Sequence, residues 1–207
     1  MIDFHTHIIP NVDDGSKSVE ETFNLIKEAE RAGFHKIIST SHYMEGYYEV
    51  ENRERGVWID AINEKLKEQN INIELYLGNE IYLTKNIIKL LEEDKASTVA
   101  NTSYVLFEMP LNAKPLDLND IVFDMLQNKL VPILAHPERY SFVQKEPEMI
   151  YDLIDKGVFM QCNFGSFVGQ YGTKAEIIAK ELLLNDMVHF LGTDVHKQNT
   201  VYERMPE

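Results

Sequence analysis

The chain has 207 residues, 44% of them hydrophobic and 26% charged, with a formal net charge of −14; this is the make-up of a globular protein long enough to bury a real core. Nucleic-acid binding rests on Lys and Arg neutralising phosphates, so the acidic balance argues against a DNA or RNA partner, and any phosphate held here needs positive charge from another source, such as bound divalent metal. The single cysteine, Cys162, rules out an intramolecular disulfide and fits a reducing cytosol. The first residues, Met1-Ile2-Asp3-Phe4-His5, lack the basic start, apolar run and cleavage site of a signal peptide. No apolar run reaches the length of a membrane span, and a cytoplasmic protein without membrane insertion is expected.

Met1–His5 reads instead as a first strand. A helix follows over 19–32, with Ser18 and Glu21 at capping-box spacing and Gly33 where a helix stop belongs. The pattern then alternates: strand 35–40, helix 54–69, strand 71–77, a short helix 86–93, strand 104–107, helix 118–128, strand 131–135, helix 147–156, strand 158–161, helix 174–185, strand 187–191. Short apolar strands separated by amphipathic helices predict a parallel α/β architecture. With no low-complexity stretch or linker, one domain over 1–207 is the simplest organisation. Periodicity alone leaves open whether seven strands make an open sheet or a closed barrel.

The polar residues favour the barrel. His5-Thr6-His7 follows the first strand, with Asp13-Asp14-Gly15 close behind; the later strands run into Ser41-His42, Gly78-Asn79-Glu80, Glu108, His136-Pro137-Glu138-Arg139, Asn163 and Gly192-Thr193-Asp194-Val195-His196. In a parallel barrel all strand C-termini lie on one rim, where active sites are built. Of the seven histidines, only His35 and His189 fall elsewhere. Imidazole and carboxylate without thiolate suit Zn, Mn or Fe. Residues i and i+2 of an extended segment point the same way, so His5 and His7 can share an ion, and Asp194-x-His196 repeats that spacing. Glu80 is a candidate to bridge two ions, and two or three ions would clamp a phosphoryl group. Arg139, just beyond His136, offers a forked donor for phosphate oxygens.

Other features have plainer readings. His189 lies inside a strand between Val188 and Phe190 and is read as packed. Cys162 is read as a buried structural thiol; a cysteine-dependent tyrosine phosphatase needs an arginine six positions on, and Val168 stands there. Tyr43, Tyr47 and Tyr48 could line a substrate groove or belong to an ordinary exposed loop. Gly165-Ser166-Phe167-Val168-Gly169 lacks phosphate-loop spacing.

Taken in order, His5-Thr6-His7, Asp13-Asp14-Gly15, Thr40-Ser41-His42, Gly78-Asn79-Glu80-Ile81-Tyr82, Ala135-His136-Pro137-Glu138-Arg139-Tyr140 and Thr193-Asp194-Val195-His196 resemble the PHP family of metal-dependent phosphoesterases. They are most similar to the tyrosine phosphatases of Gram-positive capsule and exopolysaccharide operons, over nearly the whole chain. The resemblance implies a distorted TIM-like (β/α)7 barrel with a trinuclear site, often manganese. Carried over residue by residue, His5, His7, Glu80 and Asp194 would hold one ion, Glu80, Glu108 and His136 a second, and Asp14, His42 and His196 a third. Arg139, Asp194 and His196 would carry the catalytic step, and Arg139, Tyr43 and Arg204 would contact substrate. The implied substrate is the phosphorylated tyrosine cluster of a partner autokinase, attacked by a metal-bound hydroxide without a phosphoenzyme. Glu28 and Arg31 match a Glu-x-x-Arg motif linked to ring assembly in relatives, and an ordinary helix ion pair gives the same spacing.

The chain departs from this pattern at its C-terminus, which is short. Arg204 is the only candidate for a second phosphate-binding arginine, and a stability below that of a longer relative is expected. Two rival functions stand beside the first: a small-molecule phosphatase such as a histidinol-phosphate phosphatase, and a regulatory binding module that has lost its chemistry.

Overall fold

The computed structural model describes residues 1–204, the side chain of Arg204 excepted. Nine strands and six α-helices alternate: β1 (Ile2–Thr6), α1 (Val19–Arg31), β2 (Lys36–Ser39), β3 (His42–Tyr43), α2 (Asn52–Glu68), β4 (Glu74–Leu77), β5 (Glu80–Tyr82), α3 (Ile87–Glu92), β6 (Tyr104–Glu108), α4 (Leu118–Gln127), β7 (Val131–Ala135), α5 (Met149–Asp155), β8 (Phe159–Asn163), α6 (Thr173–Leu184) and β9 (Phe190–Gly192). Every strand pairing between these elements is parallel. The order is β1-β2-β4 in one sheet and β3-β5-β6-β7-β8-β9 in the other.

The nine strands lie along seven lines, because the expected strands 35–40 and 71–77 are each continued, after a break, by a short strand that was not expected. β2 and β3 are separated by Thr40-Ser41, and β4 and β5 by Gly78-Asn79. Hydrogen bonds carry the pairing across the breaks, with the Gly78 N–H donating to Ser39 O and the Glu80 N–H to Thr40 O, each at 3.0 Å. The circuit closes between the first and last strands. The Asp194 N–H donates to His5 O at 2.8 Å, the His7 N–H donates to Val195 O at 3.0 Å, and Thr6 bridges Val195. The result is a curled, distorted barrel of the expected class.

Each helix forms where the sequence places it, within about two residues. Ser18 caps α1, its Oγ accepting from the Glu21 N–H at 3.1 Å. Glu21 closes the cap one residue further back than a standard box, accepting from the Lys17 N–H. Satisfying first-turn N–H groups in this way is worth about 1 kcal/mol. The two large apolar clusters lie between helices and sheet; α1 contributes Leu25, Ile26 and Ala29 to one, beside Phe34 and Ile37. A third, smaller cluster of Phe4, Ile38, Leu106 and Ile133, with Phe190 stacked on Phe4 at 4.3 Å, draws on strands from all round the sheet. Only the barrel interior can bring these together, and this plug forms the floor beneath the polar rim.

Two local devices aim the rim residues. The β1–β2 register slips between Asp3 and Thr6, an irregularity of the kind that re-aims a side chain next to a site. Gly192 lies so close to β1 that a Cβ there would stand 2.5 Å from His5 Cβ, so only glycine lets β9 approach the first histidine.

Candidate metal centre

The rim gathers His5, His7, Asp14, His42, Glu80, Glu108, His136, Asp194 and His196 from the ends of strands far apart in the chain. Three overlapping groups place one donor atom from each member within 4.8 Å of one another: His5, His7, Glu80 and Asp194; His7, Asp14, His42 and His196; and His42, Glu80 and Glu108. In the first group His5 Nε2 and His7 Nε2 are 3.1 Å apart, Glu80 Oε2 lies 3.1 and 3.4 Å from them, and Asp194 Oδ1 lies 3.6 and 3.4 Å away. Donors about 2.1 Å from a shared cation in a tetrahedron stand roughly 3.4 Å apart, which is the observed spacing.

The tautomers agree with this geometry. His5 Nδ1 donates to Gln161 Oε1 at 2.7 Å, His7 Nδ1 to Asp13 Oδ2 at 2.9 Å, and His196 Nδ1 to Asp194 O at 2.9 Å. Because each Nδ1 carries its proton toward an acceptor, each Nε2 keeps its lone pair for the centre. The Gln161 amide is itself oriented, its Nε2 donating to Cys162 O and Asn163 Oδ1. Glu80 Oε2 and His136 Nδ1 are buried with no hydrogen-bond partner among the described residues. A buried carboxylate oxygen that faces three ring nitrogens and has no hydrogen-bond partner is one that a cation would satisfy. The residues therefore fit divalent metal.

Charge and strain mark the same atoms. Burial alone would raise the Asp194 pKa, but His5, His7, His136 and Arg139 outweigh it and hold the carboxyl well below the usual range. Glu80 behaves alike: burial opposes its charge, and His5, His42 and His136 overcome that opposition. His7, whose burial disfavours a charge, is raised well above its ordinary value by Asp13, Asp194 and Glu80. His136 (φ 35°) and Asp194 (φ 54°) both occupy the left-handed region, a conformation that costs of order 1–3 kcal/mol for such residues and clusters at functional sites.

Arg139 joins the centre, its Nη1 donating to Asp194 Oδ2 at 2.6 Å and its guanidinium lying 4.5 Å from the Tyr171 ring centroid. Tyr43 does not line the pocket. Neighbouring strand residues face opposite ways, so Tyr43, next to His42 on β3, turns into the core with Ile81 and Ile87 and is 3% exposed. Of the two placements left open for the other tyrosines, Tyr48 lies at the rim, stacked on the His42 ring at 5.7 Å, while Tyr47 is exposed. The side chain of Arg204 lies outside the described residues. Glu28 accepts from the Asn199 N–H, an intrachain contact with the segment after His196, and Arg31 is exposed.

Residues beside the candidate ligands orient them; the sequence places Asp13 and Asn163 at the rim without a role and passes over Gln161. Asp13 accepts from His7 and from the His42 N–H at 2.9 Å; its only signal was adjacency to Asp14. Gln161 and Asn163 are buried amides at alternate positions of an apolar strand, and that polarity was a usable clue; Asn163 Nδ2 donates to Asp194 Oδ2 at 2.8 Å. Cys162 lies between them, fully buried, its thiol pushed well above the ordinary value by burial and by the Glu138 carboxylate. Thiolate chemistry needs a lowered pKa and access. Alkylation with iodoacetamide at pH 7.5 is accordingly expected to leave activity intact, and Cys162→Ala to retain at least about half of it; inactivation by either would assign the thiol a role.

A family model described as "Capsular polysaccharide synthesis, CpsB/CapC" matches residues 1–207. The chain belongs to the CpsB/CapC family. Among its curated relatives, the tyrosine-protein phosphatase CpsB of Streptococcus pneumoniae is 30% identical over 201 residues, covering 95% of this chain and 83% of the relative. The tyrosine-protein phosphatase YwqE of Bacillus subtilis is 28% identical over 200 residues, covering 97% and 79%. A crystal structure reported with YwqE from Bacillus subtilis and CpsB from Streptococcus pneumoniae, described as metal-dependent tyrosine phosphatases, matches with a TM-score of 0.92 at 28% identity, over 97% of this chain and 81% of that one. The histidinol phosphate phosphatase of Lactococcus lactis, solved with zinc, L-histidinol and phosphate, matches with a TM-score of 0.61 at 16% identity over 94% of this chain and 86% of that one, a likeness of fold alone. Among the described residues, no helix is long and apolar enough to cross a membrane.

Proposed function

We propose that this CpsB/CapC protein is a metal-dependent protein-tyrosine phosphatase whose substrate is a tyrosine-phosphorylated protein of capsule or exopolysaccharide synthesis, and in particular the phosphotyrosine tail of an autokinase. The observation that carries the reading is the cluster of His5, His7, Glu80 and Asp194, whose donor atoms stand at the mutual spacing of ligands around one cation. The two flanking groups, one around Asp14, His42 and His196 and one around Glu80 and Glu108, supply second and third positions; His136 Nε2 adjoins the latter, 2.9 Å from Glu80 Oε1. A nitrogen- and oxygen-donor set without sulfur suits Mn2+, with Zn2+ or Fe as alternatives. Bound in these positions, such ions would neutralise phosphate charge and lower the pKa of water to about 7. The acidic chain could then hold an anionic ester that its own charge repels.

The remaining roles fall to the chain itself. Arg139 is positioned to grip non-reacting phosphate oxygens, with the Tyr171 ring supporting its guanidinium. Asp194 holds Arg139 at the centre through Oδ2 and faces the two first histidines through Oδ1. Asp14 and His196, 3.4 Å apart, are the most open of the group, so an ion that they helped to hold would be the one within reach of incoming water. Tyr48, on the rim beside His42, offers an aromatic wall for an aryl ester. The barrel acts as one domain over 1–207 in the cytoplasm. Glu28 and Arg31 on α1 take part in self-assembly in this proposal, and light scattering of an Arg31→Ala variant is the check.

The test is turnover of a phosphotyrosyl peptide against histidinol phosphate, each with Mn2+ in excess. Higher kcat/KM for the peptide is expected; preference for histidinol phosphate would move the protein to the small-molecule class, and binding without phosphate release would make it a binding module. Arg139→Lys keeps the charge but loses the fork, and kcat/KM is expected to fall by about 10²-fold, the scale of one lost transition-state donor. A loss under threefold would remove Arg139 from the site.

A further inference from the structure

We propose that Arg55, a buried arginine on the far side of the two strand breaks, is a positioning residue for the metal centre. The inference rests on the metal-centre reading above. Arg55 lies in the first turn of α2 and is fully buried. Among the described residues it has no carboxylate partner; its contacts are hydrogen bonds. Nη1 donates to Gly78 O at 2.6 Å, Nη2 to Asn79 Oδ1, to Ser97 Oγ at 3.3 Å and to Asn52 Oδ1 at 3.3 Å, and Nε to Val50 O at 3.2 Å. Asn79, also fully buried, passes the restraint on, its Nδ2 donating to Ser41 O at 2.7 Å while Oδ1 also accepts from the Ser97 N–H at 2.8 Å.

One guanidinium thus fixes both interruptions of the barrel wall: Gly78-Asn79 directly, and Ser41 through the Asn79 amide. Each interruption is followed at once by a residue of the centre, Glu80 after the first and His42 after the second, and these two are register partners in the β3–β5 pair. Backbone hydrogen bonds from the Gly78 and Glu80 N–H groups still cross the breaks, and the guanidinium adds side-chain anchors to the carbonyls and amide that lie within them. Burying a cation without a counter-charge is costly, and burial pushes Arg55 down to about 10. A lysine has one point charge and cannot span Gly78, Asn79, Ser97 and Val50 together. The same guanidinium also ties in Val50 and Asn52, just beyond the turn that carries Tyr48.

The experiment is Mn2+ titration of the full chain by calorimetry, with the Mn2+ electron paramagnetic resonance spectrum recorded on the same samples, for wild type, Arg55→Met, Arg55→Lys and Asn79→Ala. Near-UV circular dichroism reports which variants are folded. Folded Arg55→Met is expected to bind Mn2+ about tenfold more weakly, the scale of a lost ligand-orienting contact, and to lose the spin-coupled features of neighbouring ions; Arg55→Lys recovers part of both, and Asn79→Ala falls between. A merely structural arginine would lower the melting temperature and leave the spectrum of the bound ions unchanged. If Arg55→Met does not fold, Arg55→Lys and Asn79→Ala decide the question on the same two readouts. Wild-type affinity and spectrum in every folded variant would overturn the inference alone, whereas a wild type that takes up no Mn2+ would overturn the metal-centre reading and the inference with it.

Discussion

Stripping divalent metal with a chelator is expected to cut phosphotyrosine hydrolysis by at least about a thousandfold, and Mn2+ to restore it. The size follows from what the chain lacks. It has no accessible thiol, its formal charge is −14, and Arg139 is already paired with Asp194; the rim otherwise presents carboxylates and imidazoles to a dianionic ester. Ions polarising a phosphoryl group supply several kcal/mol of transition-state stabilisation, and each 1.4 kcal/mol is a factor of ten. The effect is read as phosphate released from a phosphotyrosyl peptide before chelation, after it, and after add-back of Mn2+, Zn2+ or Fe2+ separately. Activity that survives chelation, with metal content confirmed near zero, would count against the whole site. The order of recovery would choose among the three metals, which the donor set alone leaves open.

The second large effect is expected at Glu80. Its Oε1 lies 2.9 Å from His136 Nε2, and its Oε2 lies 3.1 Å from His5 Nε2, 3.1 Å from His42 Nδ1 and 3.4 Å from His7 Nε2. No other carboxylate among the described residues reaches so many of the histidines, which makes Glu80 the candidate to bridge two ions. Glu80→Gln keeps the shape, removes the charge and puts N–H groups where a ligand oxygen stood. The expected outcome is a fall in kcat of at least about a thousandfold, again several kcal/mol at 1.4 kcal/mol per decade, together with the loss of at least one equivalent of bound metal. Glu64→Gln, an exposed change on α2, should alter neither. A Glu80→Gln enzyme within tenfold of wild type, with full metal content, would show that the carboxylate does not bridge.

Much of this was legible in the amino-acid sequence. Strand and helix positions followed from apolar periodicity, and the histidines at strand ends pointed to one rim because a parallel barrel gathers its strand C-termini there. Four things were hidden for physical reasons. The breaks at Thr40-Ser41 and Gly78-Asn79 leave no mark in hydrophobic patterning; the expected strands 35–40 and 71–77 stop there, and the short β3 and β5 beyond them carry too few residues to read as strands. The reach of Arg55 is tertiary, joining segments up to 42 residues away, and an arginine at the start of a helix reads as solvated surface. Tyr43 was misplaced because its neighbours in sequence, His42 and Tyr48, do face the pocket, while the short β3 strand turns Tyr43 the other way. Asp13, Gln161 and Asn163 hydrogen-bond candidate ligands without joining their clusters, so ligand spacing alone gives them no role.

The measurement that bears most directly on the centre is anomalous scattering at the manganese edge from crystals grown with Mn2+. Peaks are expected about 2.1 Å from His5 Nε2, His7 Nε2, Glu80 Oε2 and Asp194 Oδ1, with further peaks beside His42 and His196 and beside Glu108 and His136. Peaks confined to surface carboxylates, or a rim that stays empty at saturating Mn2+ while phosphate is still released, would contradict it.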